Sequence, residues 1–306
     1  MRRSLSRPLD VRERAAKRPR RSDVFRAAIG PPVEALVSAA PHLGMQDNVE
    51  WVHRARVATR ELRSVLRLFR LALEAMWVAD VRARLKQLAA LLGAVRDADV
   101  LAARMRTLAK RLPSERTAAV DSILGTLRGV RETAYDALHV ELSALWYVSL
   151  LETLAAAVRD VDGHRLVIPN VHVRRRAVVG QIMRPPWKKL KKAVCRAGRG
   201  TDAAELHQIR IRAKSCRYAA AAIRPFVARK ERERFKRFLR HIARLQERLG
   251  SLHDTERSED ILRTIAGLDR FVVEEIIELE TADVADRQTA WRASWKKLSR
   301  RSSRFW

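Results

Sequence analysis

Apolar residues recur along this chain at steps of three and four over most of its length, the spacing of one face of an α-helix. The first such segment follows Asp23, a candidate N-cap, and runs through VFRAAIGPPVEALVSAA, where Gly30, Pro31 and Pro32 are expected to break or kink it. Further helices are predicted at about 48–75, 79–94, 97–111, 114–142 and 145–160. A break at Asp162–Asn170, with Gly163 and Pro169, separates these from helices predicted at about 171–198, 202–225, 229–249, 254–266, 268–281 and 283–300. Alternating β-branched runs are missing; VIPNVHV at 167–173 is the nearest and is short. The pattern predicts an all-α fold.

The polar positions of two of these helices carry a pattern that occurs twice. His53, Arg56, Arg60 and Arg63 stand in HRARVATRELR, and His207, Arg210, Lys214 and Arg217 in HQIRIRAKSCR. Both read H-x-x-R-[VI]-x-x-[RK]-x-x-R, and steps of 3, 4 and 3 place the four side chains along one helix face. The first row continues to Arg67 and Arg70. At about 100° per residue these cations span one arc, while Ala58, Leu62, Val65 and Phe69 gather opposite, as Ile209, Cys216, Ala219, Ala220 and Ile223 do in the second helix. From His53 to Arg70 the sole acid is Glu61. A merely solvated helix intersperses Glu with Lys and Arg and gains i,i+4 pairs. Two matched rows without such pairs point to an external anion, and guanidinium forks suit two oxygens of a phosphate.

A second repeat follows each row. Leu92-Gly93-Ala94-Val95-Arg96-Asp97 matches Leu249-Gly250-Ser251-Leu252-His253-Asp254 as L-G-x-[VL]-[RH]-D. It reads as a tight helix–helix corner, with Gly93 and Gly250 as left-handed caps and Asp97 and Asp254 as the next N-caps. Arg96 is open between pairing with Asp97 or Asp99 and facing a ligand. The order of both repeats implies an internal duplication, with halves at 23–161 and 170–306 behind a disordered basic tail at 1–22. The tail carries nine Arg or Lys against two acids.

Charge narrows the partners. The chain of 306 residues holds 63 Lys+Arg against 35 Asp+Glu, a net charge of +28, with 47% hydrophobic residues, enough for a folded core. Nucleic acid, an anionic membrane and a phosphate polymer all fit such an excess. No apolar run reaches the length of a membrane span and no secretory leader is read, so a cytoplasmic location is expected. Cys195 and Cys216 form neither a zinc nor a disulfide pattern and read as buried thiols. No metal site, cofactor or catalytic residue is predicted: no P-loop and no H-E-x-x-H occurs, and the rows hold no carboxylates to carry Mg²⁺. Weaker candidates for the same anion are Arg82 and Lys86; Lys188, Lys189, Lys191 and Lys192; and Arg237, Arg240 and Arg244 of a further 3/4-spaced row, where Glu231, Glu233 and Glu247 are interspersed.

These residues resemble the CHAD family, the conserved histidine α-helical domains. The resemblance rests on H-x-x-R-V-A-T-R-x-L-R, LGAVRDAD, H-x-x-R-I-R-A-K-x-x-R-Y and the terminal Phe305-Trp306, and covers about 23–306. It implies two helical bundles about a pseudo-two-fold with a basic groove or channel between them. It also implies non-catalytic binding of inorganic polyphosphate and association with polyphosphate granules, with sulfate or phosphate as stand-ins in crystals. By position, His53, Arg56, Arg60 and Arg63 match the first motif and His207, Arg210, Lys214 and Arg217 the second, with Arg67 extending the first row. The E-x-E-x-K strand of the CYTH hydrolases fused to some relatives is not matched at Glu278–Ala282. The alternatives are a nucleic-acid-binding helical protein, disfavoured by aromatics of only 6%, and a granule scaffold that binds a protein partner. Oligomeric state is not legible.

Overall fold

Among the described residues ten α-helices follow one another: α1 (Arg21–Ala39), α2 (Val49–Phe69), α3 (Ala75–Ala109), α4 (Thr117–Leu142), α5 (Leu145–Arg159), α6 (Arg175–Arg196), α7 (Ala203–Ala222), α8 (Arg232–Thr264), α9 (Arg270–Thr281) and α10 (Val284–Ser299). The structure is a computed structural model and describes residues 18–44, 49–111, 113–160, 165–197, 202–264, 270–281, 284–300 and 303–306. Among these there is no strand, only the isolated bridges Arg20 to His172 and Leu73 to Leu166. The all-α fold is as expected. The predicted basic tail lies mostly outside the described residues, and its last two residues, Arg21 and Ser22, open α1.

The predicted corners do not form. α3 runs unbroken through Gly93–Asp97 and α8 through Gly250–Asp254. Neither glycine has a positive φ, so neither is a left-handed cap. The reason in α3 is its apolar row. Leu85, Leu88, Leu92, Val95, Ala98, Leu101, Met105 and Leu108 are all buried at steps of three and four, with no gap at Gly93. Burying that continuous stripe outweighs the ~1 kcal/mol that a helical glycine costs against alanine.

Two other local readings change. Asp23 is not the N-cap of α1; it stands in the first turn, where its carboxylate accepts the backbone N–H of Arg20 at 2.8 Å. α1 also continues across Pro31 and Pro32, as α6 does across Pro185 and Pro186. Gly30, Pro32 and Val33 are buried, so the missing backbone bonds are offset by packing.

The chain forms two compact units. One holds residues up to Gly93, Ala137–Ile182 and Tyr218–Ala228; the other holds Ala94–Asp136, Met183–Arg217 and Arg229–Trp306. These units interleave along the chain, whereas the sequence halves run consecutively. In the first unit α1 packs on α2 and α5. Phe25 meets Phe69 edge-on at 5.4 Å, and the Arg26 Nε donates to the Val158 carbonyl at 3.1 Å. The segment after α5 is held against the α2–α3 turn: Glu74 N–H donates to the Arg165 carbonyl and Val167 N–H to the Ala72 carbonyl.

In the second unit Leu101, Met105 and Leu108 of α3 pack with Ile123 and Leu127 of α4, Leu262 of α8, and Val272, Val273, Ile276 and Ile277 of α9. An aromatic cluster anchors the chain end. Trp187 of α6 stacks on Trp295 of α10 at 5.5 Å and meets Phe238 and Trp306 edge-on, while Phe305 packs on Phe235 and Phe238 of α8.

Candidate anion-binding site

The site begins with the amphipathic split of α2. Val52, Ala55, Ala58, Thr59, Leu62, Val65 and Leu66 are buried, and Thr59, the polar member, donates its hydroxyl to the Ala55 carbonyl at 2.7 Å. On the other side His53, Arg67 and Arg70 are exposed, while Arg56, Arg60 and Arg63 are half-buried. Long cationic side chains in that position lay their methylenes on apolar neighbours and keep the charged head at the rim. Arg54, off the row, pairs with Glu50 one turn earlier at 3.1 Å.

One bond fixes the direction of the row. The Arg56 Nη1 donates to the Gly93 carbonyl at 3.0 Å. Only residues 70–74 connect α2 to α3, so a contact between positions 56 and 93 requires the two helices to run antiparallel, side by side. On α3, Arg82, Lys86 and Gly93 share one face to within about 40°. The weaker candidates Arg82 and Lys86 therefore lie on the α3 face that also bears Gly93, whose carbonyl accepts the Arg56 guanidinium. Arg82 is half-buried, and its Nε has no hydrogen-bond partner among the described residues.

The second row is built alike on α7. Asp202 caps the helix, its Oδ1 accepting the Glu205 N–H at 2.7 Å. Leu206, Ile209, Ala213, Cys216, Ala219, Ala220 and Ile223 are buried, while His207, Arg210, Lys214 and Arg217 are half-buried. Burial pushes the Cys216 thiol well above its ordinary range. Cys195 departs from expectation: it is exposed on α6, because Trp187 and Leu190, not it, carry the buried face there. Lys188, Lys189, Lys191 and Lys192 are exposed on α6, and Arg237, Arg240 and Arg244 on α8. Arg96 is half-buried, and Asp99, one of its two expected partners, instead takes Arg131 at 2.7 Å. No three His, Cys, Asp or Glu side chains among the described residues gather as metal ligands. No single described helix is long and apolar enough to cross a membrane.

Sequence reading missed one more part of the repeat. α1 opens at Arg21 and α6 at Arg175; α2 opens at Val49 and α7 at Ala203. The offset is the same in both cases, and it also separates Pro31 from Pro185 and His53 from His207. The paired prolines were the available signal.

The profile of the CHAD domain matches residues 27–263. The chain belongs to the CHAD family. Its fold is shared with the crystal structure of the CHAD domain from the plant Ricinus communis, at a TM-score of 0.75 and 23% identity, covering 94% of this chain and 93% of that one. PptA from Streptomyces chartreusis superposes at a TM-score of 0.68 and 15% identity, over 90% of this chain and 99% of that one. An uncharacterized protein of Mycobacterium tuberculosis, present in two strains, is 32% identical over 186 residues, 58% of this chain and 34% of the relative. The CHAD chain thus spans about a third of the length of the curated relatives it matches.

Proposed function

We propose that this CHAD domain binds inorganic polyphosphate without transforming it, through the helix faces headed by His53 and His207. The observation that carries this reading is the α2 face that bears His53, Arg56, Arg60, Arg63 and Arg67 opposite the buried residues of that helix, and the proposal assigns Lys86 and Arg82 of α3 to the same ligand. The cations of that face are spaced along a helix, and a linear anion with a charge on every unit relieves their repulsion at several points at once. Release of condensed counterions supplies much of the affinity. The α7 row, built on the same spacing, serves the same polymer. Family membership supports the ligand class, and the duplicated H-x-x-R rows with their common offset support two equivalent halves. Location in the cytoplasm at polyphosphate granules follows from that ligand as part of the proposal.

The aromatic residues support phosphate polymer over single-stranded nucleic acid, which needs open rings for stacking. The Trp51 ring, on α2 itself, is stacked by His42 at 4.2 Å and approached by Arg54 at 4.8 Å. Trp187 is enclosed in the aromatic cluster, Trp77 lies under Arg165, and Tyr218 is buried. The test is a titration with long-chain polyphosphate at rising salt, in competition with DNA of equal phosphate concentration. Tight, salt-dependent binding that DNA does not displace is expected; absent or salt-independent binding, or displacement by DNA at physiological salt, overturns the reading.

A further inference from the structure

α8 carries a cationic face that neither H-x-x-R row includes. Taking Arg237 as zero, Arg240, Arg244 and Arg248 fall within about 60° of it on the helix, and His241 within about 40°. The four arginines are exposed and His241 is half-buried at the edge of their row. Of the interspersed acids, Glu231 takes Arg234 at 3.3 Å and Glu233 takes Lys236 at 2.8 Å. Glu233 marks the start of the face, with Arg240 and Arg237 adding to Lys236 in holding its carboxyl low. Glu247 projects about 60° to one side of Arg244.

α10 adds to this face from outside. It packs on α8. Trp295 stacks on Trp187, which meets Phe238, and after the helix Phe305 returns onto Phe235 and Phe238. The Ser303 hydroxyl ties that return to the Lys297 carbonyl at 3.0 Å. Lys297 of α10 is exposed, and its charge reaches the His241 imidazole of α8.

We infer that the α8–α10 face, made of Arg240, Arg244, His241 and Lys297 with Arg237 beside them, is a second phosphate-polymer site whose affinity is coupled to protonation of His241. The inference rests on the polyphosphate reading and deepens it. Burial, and then the charges of Arg244, Arg240, Arg237 and Lys297, hold the His241 imidazole below its ordinary pKa. Every charge named there is positive. A phosphate chain laid across the face offsets those charges, raises the imidazole pKa, and is joined by a proton. Binding at this face therefore strengthens as pH falls through the imidazole range, by up to about tenfold for each unit the pKa rises on binding.

The experiment is a pH titration of the ¹³C-labelled histidines of the full chain by NMR, with and without tripolyphosphate, the His241 signal being assigned by its loss in H241Q. In parallel, binding of long-chain polyphosphate is measured at pH 5.5 and 7.5 for wild type, H241Q and Arg240→Glu/Arg244→Glu. The proposal expects the His241 pKa to rise with tripolyphosphate, the charge-reversed variant to lose that rise, and H241Q to lose part of the affinity gain at pH 5.5. If polyphosphate binds tightly while His241 titrates unchanged, this second site falls and the function proposed above stands. If polyphosphate does not bind at all, both fall. A larger shift with DNA at equal phosphate concentration also overturns the site as assigned.

Discussion

The Arg56 guanidinium of α2 donates to the carbonyl of Gly93, a residue in the middle of α3, across 3.0 Å. This bond gives Gly93 a position quite unlike that of a helix cap. A methyl group added at Gly93 would lie 3.8 Å from the Arg56 Nη1, an ordinary contact, and one added at Gly250 would meet nothing within 4 Å. Alanine at either helix-interior site is therefore expected to stabilise by about 0.5–1 kcal/mol. Urea unfolding of Gly250→Ala and Gly93→Ala checks this. A loss of stability in both would return the left-handed corner to consideration.

Replacing Arg56 and Arg210 together by alanine removes one cation from the head of each row. Removal of a single phosphate partner lowers the slope of log K against log salt by about 0.7–0.9, so polyphosphate binding should weaken several-fold and the slope should fall by about 1.4–1.8. Arg56→Lys keeps the charge without the planar fork and should fall between. Changing Arg2 and Arg3 instead should do far less, although it removes the same net charge. Equal effects of the two double variants, measured by titration over a salt series, would reduce the attraction to net charge alone.

The two faces of α2 were legible because charge and apolar positions obey the same period: Ala58, Leu62 and Val65 are buried while Arg56, Arg60 and Arg63 are half-buried, as spacing alone requires. The corners were misread because glycine and aspartate were weighed as local punctuation. The buried row from Leu85 to Leu108 crosses Gly93 without losing phase, and tertiary burial decides where propensity is neutral. The same cause hid Pro31-Pro32 and Pro185-Pro186 inside helices. The partnership of Arg56 with Gly93, or of Asp99 with Arg131, depends on which helices lie side by side. No periodicity within one helix carries that information.

Tyr147 of α5 gives the fold an alkaline limit. It is buried, its hydroxyl has no hydrogen-bond partner among the described residues, and burial raises its pKa from 10.0 to about 12. The unfolded phenol ionises first, so the stability contributed by the neutral folded form is complete below about pH 10 and is lost as pH rises toward 12. The loss is about 2–3 kcal/mol over that window. Tyr147→Phe removes the ionisable group and the unpaired hydroxyl. Urea unfolding at pH 9.5 and 11.5 should show the variant at least as stable as wild type at the lower pH and more stable than it at the higher.

Asp99 tests whether a carboxylate of α3 is structural. Its side chain is 7% exposed and accepts the Arg131 Nε at 2.7 Å, while Arg131, 21% exposed, also lies 4.6 Å from the Tyr135 ring. The acid is the more buried partner, so the two single changes are not equivalent. Arg131→Ala strands a buried carboxylate and should cost about 3 kcal/mol; Asp99→Ala leaves an arginine that still reaches water and a ring, and should cost about 1–2 kcal/mol. Chemical denaturation gives both values, and the double variant gives the coupling. Polyphosphate binding by the folded Asp99→Ala protein should match wild type, with or without Mg²⁺. A Mg²⁺-dependent loss in that variant would instead make Asp99 a cation ligand and reopen phosphoryl chemistry at this end of α3.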